Sequence, residues 1–153
     1  VGCDASCFRV VSVLLRDLLA ADSVAYHHER VVLVIPQEPT LGWDALLCLQ
    51  PYFAVTYLNG DLSSAKDLRR ARVADARACF VLSDRLANDM EAQDKTALLR
   101  TLSANQASPP GSSVLCLVTH SRSKGRLVRL GMPEASVVCY DEVMEGLVTQ
   151  ACL

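Results

Sequence analysis

Ala78-Cys79-Phe80-Val81-Leu82 and Val114-Leu115-Cys116-Leu117-Val118 are two short apolar runs in which no residue alternates with a polar one. A strand covered on both faces reads this way, because neither face meets water. Between the two runs, Leu98, Leu99 and Leu102 begin a stripe at helical spacing. Strand, helix and parallel strand make one right-handed crossover unit, and this unit decides the fold class. The same alternation extends outward. Arg30–Ile35, Tyr52–Leu58 and Ser136–Tyr140 are further buried-strand runs. Val10, Val11, Leu14, Leu15, Leu18 and Leu19 form an early helical stripe, and Leu127, Val128 and Leu130 a late one. The expected architecture is α/β: a Rossmann-like, doubly wound, mostly parallel sheet with helices on both faces, in the order β-α-β-α-β-α-β-α-β-α-β-α.

Composition agrees with one such unit. The chain has 153 residues, of which 51% are hydrophobic, and its mean hydropathy is +0.23. A membrane span needs about 20 consecutive apolar residues. The best candidate, Val10 to Leu15, is interrupted by Ser12 and closed by Arg16 and Asp17. No basic region precedes a short apolar one at the N-terminus, so a signal peptide is not expected. Fifteen basic against seventeen acidic residues give a net charge of −2, and aromatics are 5%. Neither a nucleic-acid footprint nor a set of base-stacking platforms follows from that. The seven cysteines are odd in number and mostly lie inside apolar runs, as in Leu47-Cys48-Leu49 and Cys79-Phe80-Val81. They read as reduced core thiols of a cytosolic protein.

Turn residues mark the element boundaries. Pro36 and Pro39 stop the second strand. Asn59-Gly60-Asp61 ends the third, with Gly60 free to take a positive φ. Ala107-Ser108-Pro109-Pro110-Gly111-Ser112 is the clearest loop. Val1-Gly2-Cys3 resembles the tail of a first strand, and Ala151-Cys152-Leu153 falls within a helix starting near Asp141. Residues 1–153 are therefore expected to be one lobe excised from a longer polypeptide.

Chemical constellations are sparse. A dinucleotide turn needs G-x-G-x-x-G after the first strand. Here Asp4 replaces the second glycine and Cys7 the third. The Asp4 carboxylate repels phosphate, and its Cβ blocks close backbone approach. Glu38, as a ribose ligand, is a lone acid after a strand. Asp84, Asp89, Glu91 and Asp94 are four acids within a short span. They read better as a helix start, with Asn88 as cap and Glu91 reaching back to it, than as a calcium site. His27 and His28 between Asp22 and Glu29 read as a solvated loop. Cys116 and His120 are about 13 Å apart on an extended strand, too far to share a zinc ion. No nucleophile elbow and no P-loop is present. The densest basic stretch is Ser121-Arg122-Ser123-Lys124-Gly125-Arg126, read as a solvated helix start.

Gly60-Asp61, Asp67-Leu68, Ala71, Val73, Asp75-Ala76 and Phe80-Val81-Leu82-Ser83-Asp84 together resemble an RCK domain, the regulator of K+ conductance. The run Asp89-Met90-Glu91-Ala92-Gln93-Asp94 through Arg100 is similar to the first RCK domain of Slo-type calcium-activated potassium channels. So is the closing pattern C-x-x-E-x-x-x-G-x-x-x-Q-x-C-L of Cys139, Glu142, Gly146, Gln150, Cys152 and Leu153. Cys3, Leu15, Asp17, Leu19 and Asp22 fit the same family's opening strand and helix.

This resemblance implies a cytosolic gating-ring module rather than an enzyme. Its partners would be other RCK domains in a tetrameric ring and, through a linker, a pore domain; the membrane enters only through the rest of the channel. No cofactor is expected in the fragment itself, and Ca2+ is expected of the full channel. Asp22 matches one acidic position of the family's calcium loop, but the site needs groups beyond Leu153. Thr56 stands where the family has an acid on the third strand. Leu98, Leu102, Leu127 and Leu130 are expected to divide between the lobe's core and an assembly surface. The alternative is a nucleotide-sensing RCK lobe with Asp61 as its ligand contact. A small Rossmann oxidoreductase ranks third, opposed by the missing glycines.

Overall fold

The computed structural model describes residues 1–2, 11–13, 30–36, 54–84 and 87–152. Five strands are named: β1 (Arg30–Ile35), β2 (Ala54–Asn59), β3 (Ala78–Leu82), β4 (Ser113–Val118) and β5 (Val137–Cys139). Four helices accompany them: α1 (Ala65–Arg70), α2 (Met90–Ala107), α3 (Ser121–Arg129) and α4 (Tyr140–Ala151). Single 3-10 turns cover Val73–Asp75 and Glu134–Ser136. Residues 11–13 are helical, with Val11 wholly buried.

Among the described residues all strand pairs are parallel. β1 pairs with β2, β3 with β4, and β4 with β5. Val1-Gly2 joins the two groups. Gly2 bridges Val34 on one side and Val81 on the other, donating to the Phe80 carbonyl at 2.8 Å and accepting from Leu82 at 2.9 Å. The Val1 carbonyl accepts from Val34 at 2.8 Å. The spatial order is thus β2-β1-(Val1-Gly2)-β3-β4-β5. Strand order reverses at Val1-Gly2, which makes it the topological switch point of a doubly wound sheet. The α/β expectation holds, and the opening residues do form an inner strand position. Leu62 packs over Gly2, and a Cβ on the glycine would collide with that side chain unless it shifted.

Helix α2 packs on β3 and β4 in an unexpected rotation. Its buried residues are Asp94, Ala97, Arg100, Thr101 and Ala104. Small side chains let the helix approach the strands closely, while Leu98 and Leu102 flank the contact and are only partly buried against the core. Leu99 points outward, 61% exposed. The cap of α2 is Asp89, whose carboxylate accepts from the Ala92 amide at 2.9 Å, rather than the expected Asn88. Glu91 pairs with Lys95 instead of reaching back to a cap.

Helix α3 ends in a Schellman motif. Met132 donates to the Leu127 carbonyl at 3.1 Å and Gly131, at φ +94°, to that of Val128 at 3.0 Å. This motif brings the side chains on either side of the cap into contact. Leu127 (0% exposed) and Met132 are accordingly both core residues. Leu127 is therefore not a surface residue of this lobe, whereas Leu130 is 58% exposed. Gly60 also differs from expectation. Its φ is not positive; a Cβ there would lie 2.8 Å from the Asp67 carboxyl carbon, so close approach explains the glycine.

Candidate functional site

In a doubly wound sheet the ligand crevice lies beyond the carboxyl ends of the strands at the switch point. The described side chains at that edge come from the loop after β2, the ends of β3 and β4, and the inward face of α2. They form two polar clusters.

The first holds Asp61. Its Oδ1 accepts from Arg100 Nε at 2.8 Å and from the Ser63 amide at 3.1 Å. The Asp61 amide donates to Asp67 Oδ2 at 3.2 Å, and Asp67 in turn pairs with Arg70 at 2.8 Å. Burial pushes the Asp61 carboxyl up, but the Arg100 hydrogen bond, the Ser63 amide and the guanidinium charge outweigh it and leave the pKa lowered. Arg100 is 4% exposed, so this pair is largely shielded on the arginine side. The acid that the nucleotide alternative assigns to a ligand is already engaged by the protein's own cation.

The second cluster surrounds Asp94, which is wholly buried. Oδ1 accepts from Ser83 Oγ at 2.8 Å and from the Thr119 amide at 2.9 Å; Oδ2 accepts from the His120 amide at 3.0 Å. Burial alone would raise this pKa. The Thr119 and His120 amides and the Ser83 hydroxyl, with Ser123 as a further polar neighbour, outweigh it, and the net shift is downward. The carboxylate also sits at the N-terminus of α3, the positive end of that helix. Asp94, grouped by sequence among the acids of a helix start, is a buried joint between α2, β3, β4 and α3. The sequence signal was available: an acid followed at the right spacing by Ala97, Thr101 and Ala104 marks a small-residue inward face.

From His120 the polar chain continues to α4. His120 Nδ1 and Asp141 Oδ2 are 3.0 Å apart, and the hydrogen bond with Asp141 raises the His120 pKa. The Asp141 amide donates to the Thr119 carbonyl at 3.2 Å, and Lys124 Nζ to Glu142 at 2.6 Å. These bonds matter because α4 has no buried residue. Val143, Met144, Leu147 and Val148 are all exposed large apolar side chains of this helix. They recur one turn apart and form an open apolar face.

Cys79, Cys116 and Cys139 are buried free thiols; burial pushes Cys116 up to about 11. Among the described residues no group of three or more His, Cys, Asp or Glu side chains is placed to hold a metal ion. Asp22 lies outside the described residues, as do Asp4, Cys7, His27, His28 and Glu38. No described helix is long and apolar enough to cross a membrane.

A sequence model of the calcium-activated potassium channel slowpoke-like RCK domain matches residues 3–139. The chain belongs to the Slo-like RCK domain family. It is 25% identical over 148 residues to potassium channel subfamily U member 1 of Homo sapiens, covering 94% of this chain and 12% of that protein. It is 26% identical over 157 residues to the calcium-activated potassium channel slowpoke of Drosophila melanogaster, covering 100% of this chain and 13% of that one. Among solved structures, the human SLO3 gating ring superposes with a TM-score of 0.64 at 24% identity, over 79% of this chain and 22% of that chain. The RCK lobe thus spans roughly an eighth of the curated relatives it matches.

Proposed function

We propose that this RCK lobe is a cytosolic regulatory module of a calcium-activated potassium channel, one unit of a gating ring that passes a ligand-driven change to the pore. Membership of the Slo-like RCK family over residues 3–139 supports this reading. The single structural observation that carries it is α4, a twelve-residue helix with an apolar face and no buried side chain. Such a face is stable in water only in small patches, and larger ones meet partners.

The partner is another RCK domain of the same channel. Val143, Met144, Leu147 and Val148 supply the contact on α4, with Leu99 on α2 and Leu130 on α3 as further exposed apolar residues. Leu98 and Leu102 are partly buried and pack against the core of the lobe. The pore domain is reached through a linker, and no nucleic acid or catalytic reaction is involved. Calcium acts on the complete channel, with Asp22 as one ligand. The ion must bind the open arrangement more tightly than the closed one to shift the population. Nucleotide sensing is disfavoured by the Asp61–Arg100 pair.

The test is patch recording of the full-length channel carrying Leu147→Glu and Val148→Glu. Calcium-dependent opening should be reduced with single-channel conductance unchanged. Unaltered calcium dependence, or a full-length protein without potassium current, would remove the support.

A further inference from the structure

Helix α2 carries two charged side chains of opposite sign on its inward face, where an amphipathic helix carries leucine. Both are enclosed, yet they serve opposite sides of the switch point. Arg100 reaches Asp61 in the loop after β2. Asp94 reaches Ser83 at the end of β3 and the Thr119 and His120 amides at the end of β4. Between these two groups lies the Val1-Gly2 strand, where the order of the sheet reverses. A crevice ligand normally binds at this place in such folds and so touches both halves of the sheet.

We propose that α2 acts as an internal strut in place of a crevice ligand, tying the loop after β2 to the corner between β4 and α3 through Arg100 and Asp94. An apolar contact tolerates sliding; a buried charge does not, because leaving it unpaired is among the costliest local changes. Asp61 cannot shift without drawing Arg100 with it or giving up their 2.8 Å pair, and Arg100 cannot shift far without moving the rigid helix that carries Asp94. The Asp94 carboxylate holds two main-chain amides just ahead of α3, so the displacement reaches the backbone of that helix. The outward face of α2 presents Leu99. In a gating ring, a disturbance of the loop after β2 would therefore arrive at the assembly surface as motion of a rigid body. That last consequence rests on the proposed function. The strut itself is a property of this chain and is tested without a channel.

The experiment is residue-resolved amide hydrogen exchange on the chain. Asp61→Asn removes the charge paired with Arg100 at a position one-third exposed. Exchange of the Thr119 and His120 amides, which have no contact with Asp61, should rise by about tenfold, while the β4 interior stays protected. Coupling is reciprocal, so Ser83→Ala, which removes one donor from Asp94, should raise exchange at the Ser63 amide. If Asp61→Asn loosens the whole chain evenly, Ser83→Ala decides: faster exchange at Ser63 supports the strut, and no change there overturns it. Faster exchange confined to residues 60–64 and the adjacent turn of α2 also overturns it, and leaves the channel reading untouched.

Discussion

Replacing Asp94 by alanine should be the most damaging single change on the inward face of α2. The side chain accepts two main-chain donors, from Thr119 and His120, and a hydroxyl from Ser83. The serine hydroxyl can turn to another acceptor; the two amides are fixed by the end of β4 and the start of α3. A buried donor left without a partner costs about 1–3 kcal/mol. Two of them cost about 2–6 kcal/mol, against a total stability of about 5–15 kcal/mol for a domain. Asp94→Asn keeps the shape and one acceptor oxygen, so about half that loss is expected. The pH dependence separates charge from shape. The folded pKa lies below the ordinary value of 3.8, so the ionised carboxylate contributes stability in full above 3.8. That contribution is lost as pH falls through the lowered folded value. In Asp94→Asn the acid limb of stability below 3.8 should be shallower than in the parent. Urea unfolding at a series of pH values reads both effects. A loss for Asp94→Ala of under about 0.5 kcal/mol, the range of ordinary surface substitutions, would refute the buried-joint assignment.

Leu127→Ala should cost about 2–5 kcal/mol in urea unfolding, as for a closed core leucine, while Leu130→Ala stays within about 0.5 kcal/mol; equal losses would contradict their opposite placement. Leu147→Glu with Val148→Glu should leave the far-ultraviolet circular dichroism unchanged and weaken self-association in sedimentation equilibrium; loss of helix would show that α4 is held by those residues. Asp141→Asn should lower the His120 pKa towards 6.5 in an NMR titration. Because that pKa is raised in the folded state, the pair's contribution is present below 6.5 and fades as pH rises through the folded value. NAD(H), ATP and ADP should give no thermal shift, since the Asp61 carboxylate is engaged by Arg100; a rise in melting temperature would revive the nucleotide alternative.

The strands were the most legible part of the sequence, because a twice-covered parallel strand leaves an unbroken apolar run. Ala78–Leu82 and Arg30–Ile35 coincide with β3 and β1. The last run was cut shorter, to Val137–Cys139, because Tyr140 already turns into α4. Helical faces were less legible. Three leucines in α2 suggested the buried side, yet the strands take Ala97, Thr101 and Ala104, and Leu99 faces outward. The rule that apolar stripes face inward fails when close packing against a sheet favours small residues. Leu127 was separable from Leu130 in principle, since Gly131-Met132 after Leu127 is a Schellman signature that directs Leu127 and Met132 to the same core. The inward side of α2 could be read from the small residues that follow Asp94, but the partners of Arg100 and Asp94 could not, because Asp61, Ser83, Thr119 and His120 are distant in sequence and joined only by the sheet.

Those partners explain how a Rossmann-like lobe lacking the glycine-rich turn can keep its strand ends in register. In a dinucleotide-binding lobe the third glycine permits close helix packing and the cofactor bridges the switch point. Here Leu62 fills the space over Gly2, Arg100 holds the loop after β2, and Asp94 holds the corner after β4. Each of these is an interaction within the chain. The position of α2 is thus set by bonds within the chain at this edge. The apolar side of α4, beside a base fastened by His120–Asp141 and Lys124–Glu142, is the face that the proposed assembly would cover.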